Sequence, residues 1–266
     1  MPFCHGEGVP LIRQEGLMEL SNTYPKFVSV GLNGLLITFA DHLTDDANRA
    51  ALALRAGIDA LGIEGVSETT TSLTSTFVIY DPQILPQDAL RSQIETLLAG
   101  RDWGAGKLPA NRRLWHIPAV FDDPAHGPQL AEAARMAGVD PAEAVAQICR
   151  DPLRVLTIGF APGQPYLGTL PENWNIPRQT GLTKQVPMGA ITVAIRQIVL
   201  FAGPSPTGWR QVGQCGFRLF RPESEAPFVL SAGDEIKFFP VSAAEFAEIC
   251  NADTTGDAGA TWEALP

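Results

Sequence analysis

Cysteine, lysine and long apolar runs are scarce in this 266-residue chain, and each shortage excludes something. Four cysteines (Cys4, Cys149, Cys215 and Cys250) lie far apart with no C-x-x-C pair. That spacing builds neither a zinc site nor a disulfide frame, and it reads as free thiols of a reducing compartment. No apolar run reaches the ~18–20 residues that span a bilayer. The start of the chain lacks a basic-then-apolar leader, so a cytoplasmic chain with no membrane partner is expected. Basic charge is also short: 19 Lys and Arg stand against 29 Asp and Glu, a net charge of −10. Such a surface does not neutralise phosphates, and no nucleic-acid partner is expected. A local basic pocket on an acidic surface remains compatible with this balance. What is present is ordinary for a globular protein, with 45% apolar and 18% charged residues. The length suits one large domain or two small ones.

Glycine and proline divide the chain unevenly. Residues 1–25 carry Gly6, Gly8, Pro10, Gly16 and Pro25 without a sustained period, which predicts an irregular arm. From Phe27 to Phe39 the pattern predicts strands about a turn at Gly31 and Gly34. Thr44 is a helix N-cap ahead of Asp45 and Asp46, and Ala47, Ala50, Leu54, Ile58 and Leu61 recur at helical spacing. Two β-prone runs follow, 66–71 and 74–80. Pro86 opens a second helix with Leu90, Ile94, Leu97 and Leu98 on one face, and a strand follows from Arg113 to Phe121. The order β-α-β-β-α-β predicts a ferredoxin-like domain over residues 26–121. Residues 122–153 read as a helical connector, with Asp140-Pro141-Ala142-Glu143 opening its second helix. Beyond Arg154 glycine and proline become dense. Short β-prone runs at 155–160, 191–194, 198–202, 217–220 and 235–239 predict an all-β domain over 154–250, closed by a helix at 242–250. Residues 251–266 read as loose. The fold class is α+β.

Three local motifs fail on inspection. Gly104-Ala105-Gly106-Lys107 is not a phosphate loop: Arg101 takes the place of its first glycine, and Leu108 replaces the Ser or Thr. Gly203-Pro204-Ser205-Pro206-Thr207-Gly208 is one residue too long for a nucleophile elbow. Asp122-Asp123-x-x-His126 has no second histidine at ligand spacing, so a polar turn is favoured over a metal site. His5, His42 and His116 form no recognisable triad with it.

A longer string is more specific. It runs Ile158-Gly159-Phe160-Ala161-Pro162-Gly163-Gln164-Pro165-Tyr166-Leu167-Gly168, then Ile176-Pro177-Arg178 and Val186-Pro187-Met188-Gly189-Ala190. It closes with Pro204-Ser205-Pro206-Thr207-Gly208-Trp209, Arg218-Leu219-Phe220 and Gly233-Asp234. From about Phe27 to Pro240 the chain resembles the family that unites allophanate hydrolase subunit 1, the B-type subunit of 5-oxoprolinase and a sporulation kinase inhibitor. That resemblance implies a cyclophilin-like β-barrel in the C-terminal half. It also implies a homologous large subunit as partner, of the allophanate hydrolase subunit 2 type or the 5-oxoprolinase C type, with the active site near the joint surface. The implied reaction is the ATP-dependent opening of 5-oxoproline, a small cyclic amide, by a complex whose isolated subunit is inactive. Two other branches imply inhibition of a sensor histidine kinase, or carboxyl transfer from biotin to urea. The chain departs from the family pattern at Gln164, where phenylalanine is usual, and at Thr207, where the usual S-P-G-G-W has glycine. It also departs at Ala119–Leu130, where a C-Y-G-G-E-F-G-P-D-L-like stretch is common.

An unactivated amide resists water because its nitrogen donates into the carbonyl. A site that activates it needs donors for developing negative charge and cations for phosphate. Candidate catalytic groups are Lys184, Arg178 and His126, with Arg196 and Arg210 as further cations. Backbone N–H groups about Gly159, Gly163 and Gly189 supply donors, or else these are turn glycines of the barrel. Tyr166 and Trp209 stack on a ligand, or else they are core aromatics. Pro162 and Pro165 bracket a rigid loop. Phe160, Gln164, Pro187, Ser205 and Arg210 complete the candidate binding set. His126 is expected at the domain junction, where ligand sites are common.

Overall fold

Hydrogen bonding sorts the strands into two separate layers. The computed structural model describes residues 24–106 and 108–265. Most of the arm expected at 1–25, and Lys107, lie outside the described residues. The first layer begins with a hairpin of β1 (Lys26–Val30) and β2 (Gly34–Thr38), turning through Gly31 at φ +64°. Helix α1 (Asp45–Leu61) starts as expected: Thr44 Oγ1 accepts from the Ala47 N–H at 3.1 Å, and Asp45 and Asp46 sit at the positive end of the helix dipole. Left-handed Gly62 stops it. Strands β3 (Val66–Thr71) and β4 (Ser75–Tyr80) and helix α2 (Gln87–Leu98) follow. The antiparallel order is β1-β2-β4-β3. Both helices cover one face, burying Leu35, Ile37, Leu54, Ile58, Val78, Leu90 and Ile94.

The next strand corrects the expected β-α-β-β-α-β order. Strand β5 (Arg113–Val120) does not return to the first sheet. The fourth position there is held by β1, which makes that layer ββαββα. The reason lies in the strand itself. Ile117 to Val120 are all buried, so β5 needs cover on both faces, and a sheet with helices on one face only does not provide it.

That cover comes from a second, closed sheet. After helices α3 (Leu130–Met136) and α4 (Pro141–Arg150) come β6 (Leu153–Ile158), β7 (Pro165–Gly168), β8 (Thr183–Val186), β9 (Ala190–Ala194) and β10 (Gln197–Leu200). Then follow β11 (Ser205–Thr207), β12 (Arg210–Cys215), β13 (Glu235–Pro240), α5 (Ala243–Ala252) and β14 (Thr261–Ala264). Seven strands close in the order β12-β9-β10-β7-β6-β13-β5, and Cys215 against Ala119 completes the ring. Strands β5 and β13 run parallel; the other pairs are antiparallel. The core includes Trp115, Ile117, Phe121, Val155, Leu167, Trp174, Ile191, Val212, Phe217 and Phe238. Small strands β8 and β11, with β9 and β10 between them in the chain, form a separate two-stranded antiparallel ribbon beside the barrel. The run at 217–220 forms no strand, only a bridge from Phe220 to Phe228. The expected loose C-terminus is corrected too, because β14 adds antiparallel to β5. The two layers are tied by polar contacts. Buried Asn48 donates from Nδ2 to the Leu73 carbonyl at 2.9 Å and the Leu156 carbonyl at 3.0 Å. Thr157 donates to the Thr71 carbonyl at 2.7 Å, and Arg154 pairs with Asp45 at 2.6 Å.

Candidate functional site: an open cleft on the barrel

Residues 159–164 form the turn between β6 and β7. The Gly159 N–H donates to the Gln164 carbonyl at 3.0 Å, and the Gln164 N–H donates to that of Ala161 at 3.1 Å. Phe160 occupies the left-handed region at φ +72° and leaves its ring 75% exposed. For a residue with a Cβ this conformation costs about 1–2 kcal/mol. A costly backbone that presents an apolar ring to solvent is a feature of binding sites rather than of cores.

The cleft beside this turn has a volume of about 280 Å³. Phe160, Gln164, Tyr166, Arg178, Leu182 and Trp209 border it, with Val199 and Phe201 among its lining residues. Trp209 packs into a cluster with Val186, Ala190, Val199 and Phe201, and it meets Tyr166 edge to face at 6.2 Å between centroids. Its body is therefore core, while it also contributes to the cleft wall. The Arg178 guanidinium lies 5.2 Å from the Trp209 ring centroid. Gln164 is only 1% exposed, and its Oε1 accepts from the Ala202 N–H at 3.4 Å.

Two residues that sequence reasoning missed hold this arrangement. Gln179 donates from Nε2 to the Trp209 carbonyl at 3.0 Å and accepts from Gln129 at 2.7 Å, pinning the Arg178 loop to β12 and the connector. Leu182 forms part of the apolar lip and is 71% exposed. The only signal for Gln179 in the sequence is its place directly after Ile176-Pro177-Arg178.

The other candidates fall elsewhere. Gly163 and Gly189 have φ of +72° and +75°, and each backs onto a neighbouring strand or loop. A Cβ on Gly163 would lie 2.8 Å from the Leu219 carbonyl oxygen, and one on Gly189 would overlap that of Cys215. Gly159 has open space at that position. Arg210 is buried: it pairs with Glu132 at 2.8 Å and donates to the Pro177 carbonyl at 2.6 Å, so its charge is taken up in joining β12 to α3. Arg196 pairs with Glu172 and donates to the Leu170 carbonyl. Lys184 projects from β8 exposed, outside the cleft lining. Pro187 follows β8, Ser205 opens β11, and Pro162 lies in the β6–β7 turn. His126 does not reach the cleft or the junction of the layers. Its Nδ1 bonds to Asp123 at 2.7 Å, and its ring packs edge-on against Phe246 of α5 at 5.2 Å. That hydrogen bond, with help from the Ala125 N–H, holds the Asp123 carboxyl below its usual range. The Asp122–His126 segment is thus a capped turn.

A wider cleft of about 400 Å³ lies between the layers, near Arg55, Asp59, Thr71 and Phe228. Its charges satisfy one another: Arg55 pairs with Asp59 at 3.6 Å, and Asp59 accepts from Thr69 at 2.5 Å. In the barrel cleft Gln164 Nε2 and the Arg178 guanidinium have no acceptor among the described residues, and the cleft collects Phe160, Gln164, Tyr166, Arg178 and Trp209 from three separate parts of the string.

A closed barrel with an open, aromatic-walled cleft, joined to an antiparallel α/β layer, defines a two-layer protein of mixed α/β class. The model for the carboxyltransferase domain, subdomains C and D, matches residues 25–230, and the chain belongs to that family. It is 28% identical over 227 residues to the B-type subunit of 5-oxoprolinase from Bacillus subtilis (strain 168), covering 82% of this chain and 93% of that protein. Among solved structures, TTHA0988 superposes with a TM-score of 0.66 at 27% identity over 79% of this chain. This chain spans only 40% of TTHA0988. The urea carboxylase of Kluyveromyces lactis shares the fold, with a TM-score of 0.69 at 14% identity, over 90% of this chain and 24% of that one. Among the described residues, no helix is long and apolar enough to cross a membrane.

Proposed function

We propose that this chain is the B-type subunit of a 5-oxoprolinase, contributing the barrel cleft to a complex that opens the lactam of 5-oxoproline to glutamate. The observation that carries the reading is the match to the B-type subunit of the B. subtilis 5-oxoprolinase over most of both chains. The cleft supports it: a guanidinium, a buried carboxamide and two aromatic rings suit a small polar amide. The barrel is read as cyclophilin-like, and the first layer as a ferredoxin-like variant whose edge strand comes from the N-terminal hairpin.

In this proposal the cleft does not hold the nucleotide by itself. Among its lining residues Arg178 is the sole cation, and no glycine-rich phosphate loop borders it. No nucleotide step is therefore assigned to this chain. In the proposal ATP is bound with a large homologous partner of the 5-oxoprolinase C type, in the cytoplasm, and this chain is inactive alone. Phe160 and Leu182, an exposed apolar lip beside the cleft, support a partner that covers it. That the chain spans only 40% of TTHA0988 also fits a module that works beside further sequence.

The test is copurification with the large homologous partner and the remaining component, followed by an assay of ATP-dependent glutamate formation from 5-oxoproline. Formation of the complex with no turnover of 5-oxoproline would end this reading. A biotinylated partner on a streptavidin blot, with carboxylation of urea, would favour carboxyl transfer. Inhibition of a sensor kinase without amide turnover would favour the inhibitor branch.

A further inference from the structure

We propose that the barrel cleft selects its ligand by two hydrogen-bond acceptors on one small molecule: a carboxylate at Arg178 and an amide carbonyl at Gln164 Nε2. This rests on the reading that the cleft is a ligand site of an amide-processing complex, and it assigns the recognition to particular atoms.

Gln164 is nearly fully buried, and its orientation is set by the Ala202 N–H, which occupies Oε1. Among the described residues nothing accepts from Nε2, while the side chain lines the cleft. Nε2 has no protein acceptor and is not sealed from solvent, so a ligand carbonyl can take the place of water there. Two neighbouring polar side chains are already engaged. Gln179 is engaged with Thr183, Trp209 and Gln129, and Thr207 Oγ1 accepts from the Trp209 N–H.

Arg178 is likewise without an acceptor. In the barrel half, Arg154, Arg196, Arg210, Arg218 and Arg221 all have carboxylate partners, and among the described residues Arg178 has none. No Asp or Glu lines the cleft, although the chain as a whole carries a net charge of −10. The guanidinium carbon lies 5.2 Å from the Trp209 ring centroid, and with no carboxylate beside it the N–H groups are available to a bidentate carboxylate. Both of these nitrogen groups donate and neither accepts, so the complementary ligand is acceptor-rich and anionic. The Tyr166 and Trp209 rings supply an apolar wall for its methylene groups. The class defined is a small carboxylic acid that also carries an amide carbonyl, as opposed to a neutral amide or a simple anion.

The experiment is calorimetric titration of the full chain with 5-oxoproline, with 2-pyrrolidinone (the lactam without the carboxylate), with proline (the ring without the carbonyl) and with inorganic phosphate. Binding of 5-oxoproline about tenfold or more tighter than each of the other three is expected, the scale of one charge-assisted hydrogen bond. Arg178→Gln should erase the preference over 2-pyrrolidinone and keep that over proline. Gln164→Leu should do the reverse. Gln164→Met, which keeps the side-chain volume and lacks the donor, should repeat the Gln164→Leu pattern, with circular dichroism melts of each variant establishing that it folds. Failure of 5-oxoproline to bind, equal binding of 2-pyrrolidinone, or equal binding of phosphate would overturn the proposal. Glutamate formation by the complex separates the two claims. Unchanged KM in both variants sinks the acceptor assignment alone. Absence of turnover alongside the expected binding pattern sinks the 5-oxoprolinase reading alone.

Discussion

Gly189→Ala tests whether this glycine serves the barrel or a ligand. Gly189 sits at φ +75°, where an L-residue costs about 1–2 kcal/mol. A Cβ there would overlap the Cys215 carbonyl oxygen, so the backbone must move. Two hydrogen bonds resist that movement: Gly189 N–H to the Phe201 carbonyl at 2.8 Å and Cys215 N–H to the Gly189 carbonyl at 2.9 Å. Weakening them adds about 0.5–1.5 kcal/mol each. The expected loss is about 2–5 kcal/mol, or a melting temperature lower by about 4–20 °C for a chain of this size. Gly159→Ala is the internal control, because its Cβ meets nothing within 4 Å and its φ is not in the left-handed region. That variant should melt within about 2 °C of the wild type. Thermal unfolding followed by circular dichroism reads both. If Gly189→Ala melts with the wild type, the close approach to Cys215 is not what the glycine serves, and a ligand-facing role regains ground.

Further outcomes follow from other contacts. Burial alone would raise the Asp45 pKa, but hydrogen bonds from Arg49 and Arg154 outweigh it and hold the carboxyl below its usual range. Its contribution to joining the layers is therefore full above about pH 4–5 and disappears as pH falls through the depressed value. Asp45→Asn should flatten that acid limb of the stability profile, and an unchanged limb would refute the assignment. Glu132→Ala leaves Arg210 buried with only the Pro177 carbonyl. The cost in urea unfolding should be about 2 kcal/mol, below the roughly 3–5 of a fully buried pair because Glu132 is partly solvated. Burial pushes the Cys149 and Cys215 thiols up to about 12. Brief alkylation at neutral pH with peptide mapping should therefore label exposed Cys250 ahead of both, and equal labelling would contradict the burial.

Local signals in the sequence were strong where one element decides its own form. The Thr44 and Asp140 caps, the apolar stripe of α1 and the proline that precedes α2 depend on neighbours a few residues away, and the structure shows them in place. Pairing partners were not legible. β5 reads as a strand in any sheet, and only the cover required by Ile117–Val120 assigns it to the barrel. β14 is four exposed residues whose partner lies more than a hundred positions earlier. The candidate site was legible in part. The turn at 159–164, Arg178 and Trp209 stand out because proline and glycine frame them, whereas Gln179 is an ordinary polar residue whose role depends on meeting Gln129 and Trp209. His126 misled because a titratable residue in a connector resembles a junction residue until its Asp123 and Phe246 contacts are seen.

An omission assay tests the central proposal most directly. Glutamate released from 5-oxoproline in the presence of ATP is measured with the partner subunits alone, and again after this chain is added. The account predicts no release without the chain and full release with it, reduced at limiting 5-oxoproline when Arg178→Gln replaces the wild type. Equal release with and without the chain would contradict it.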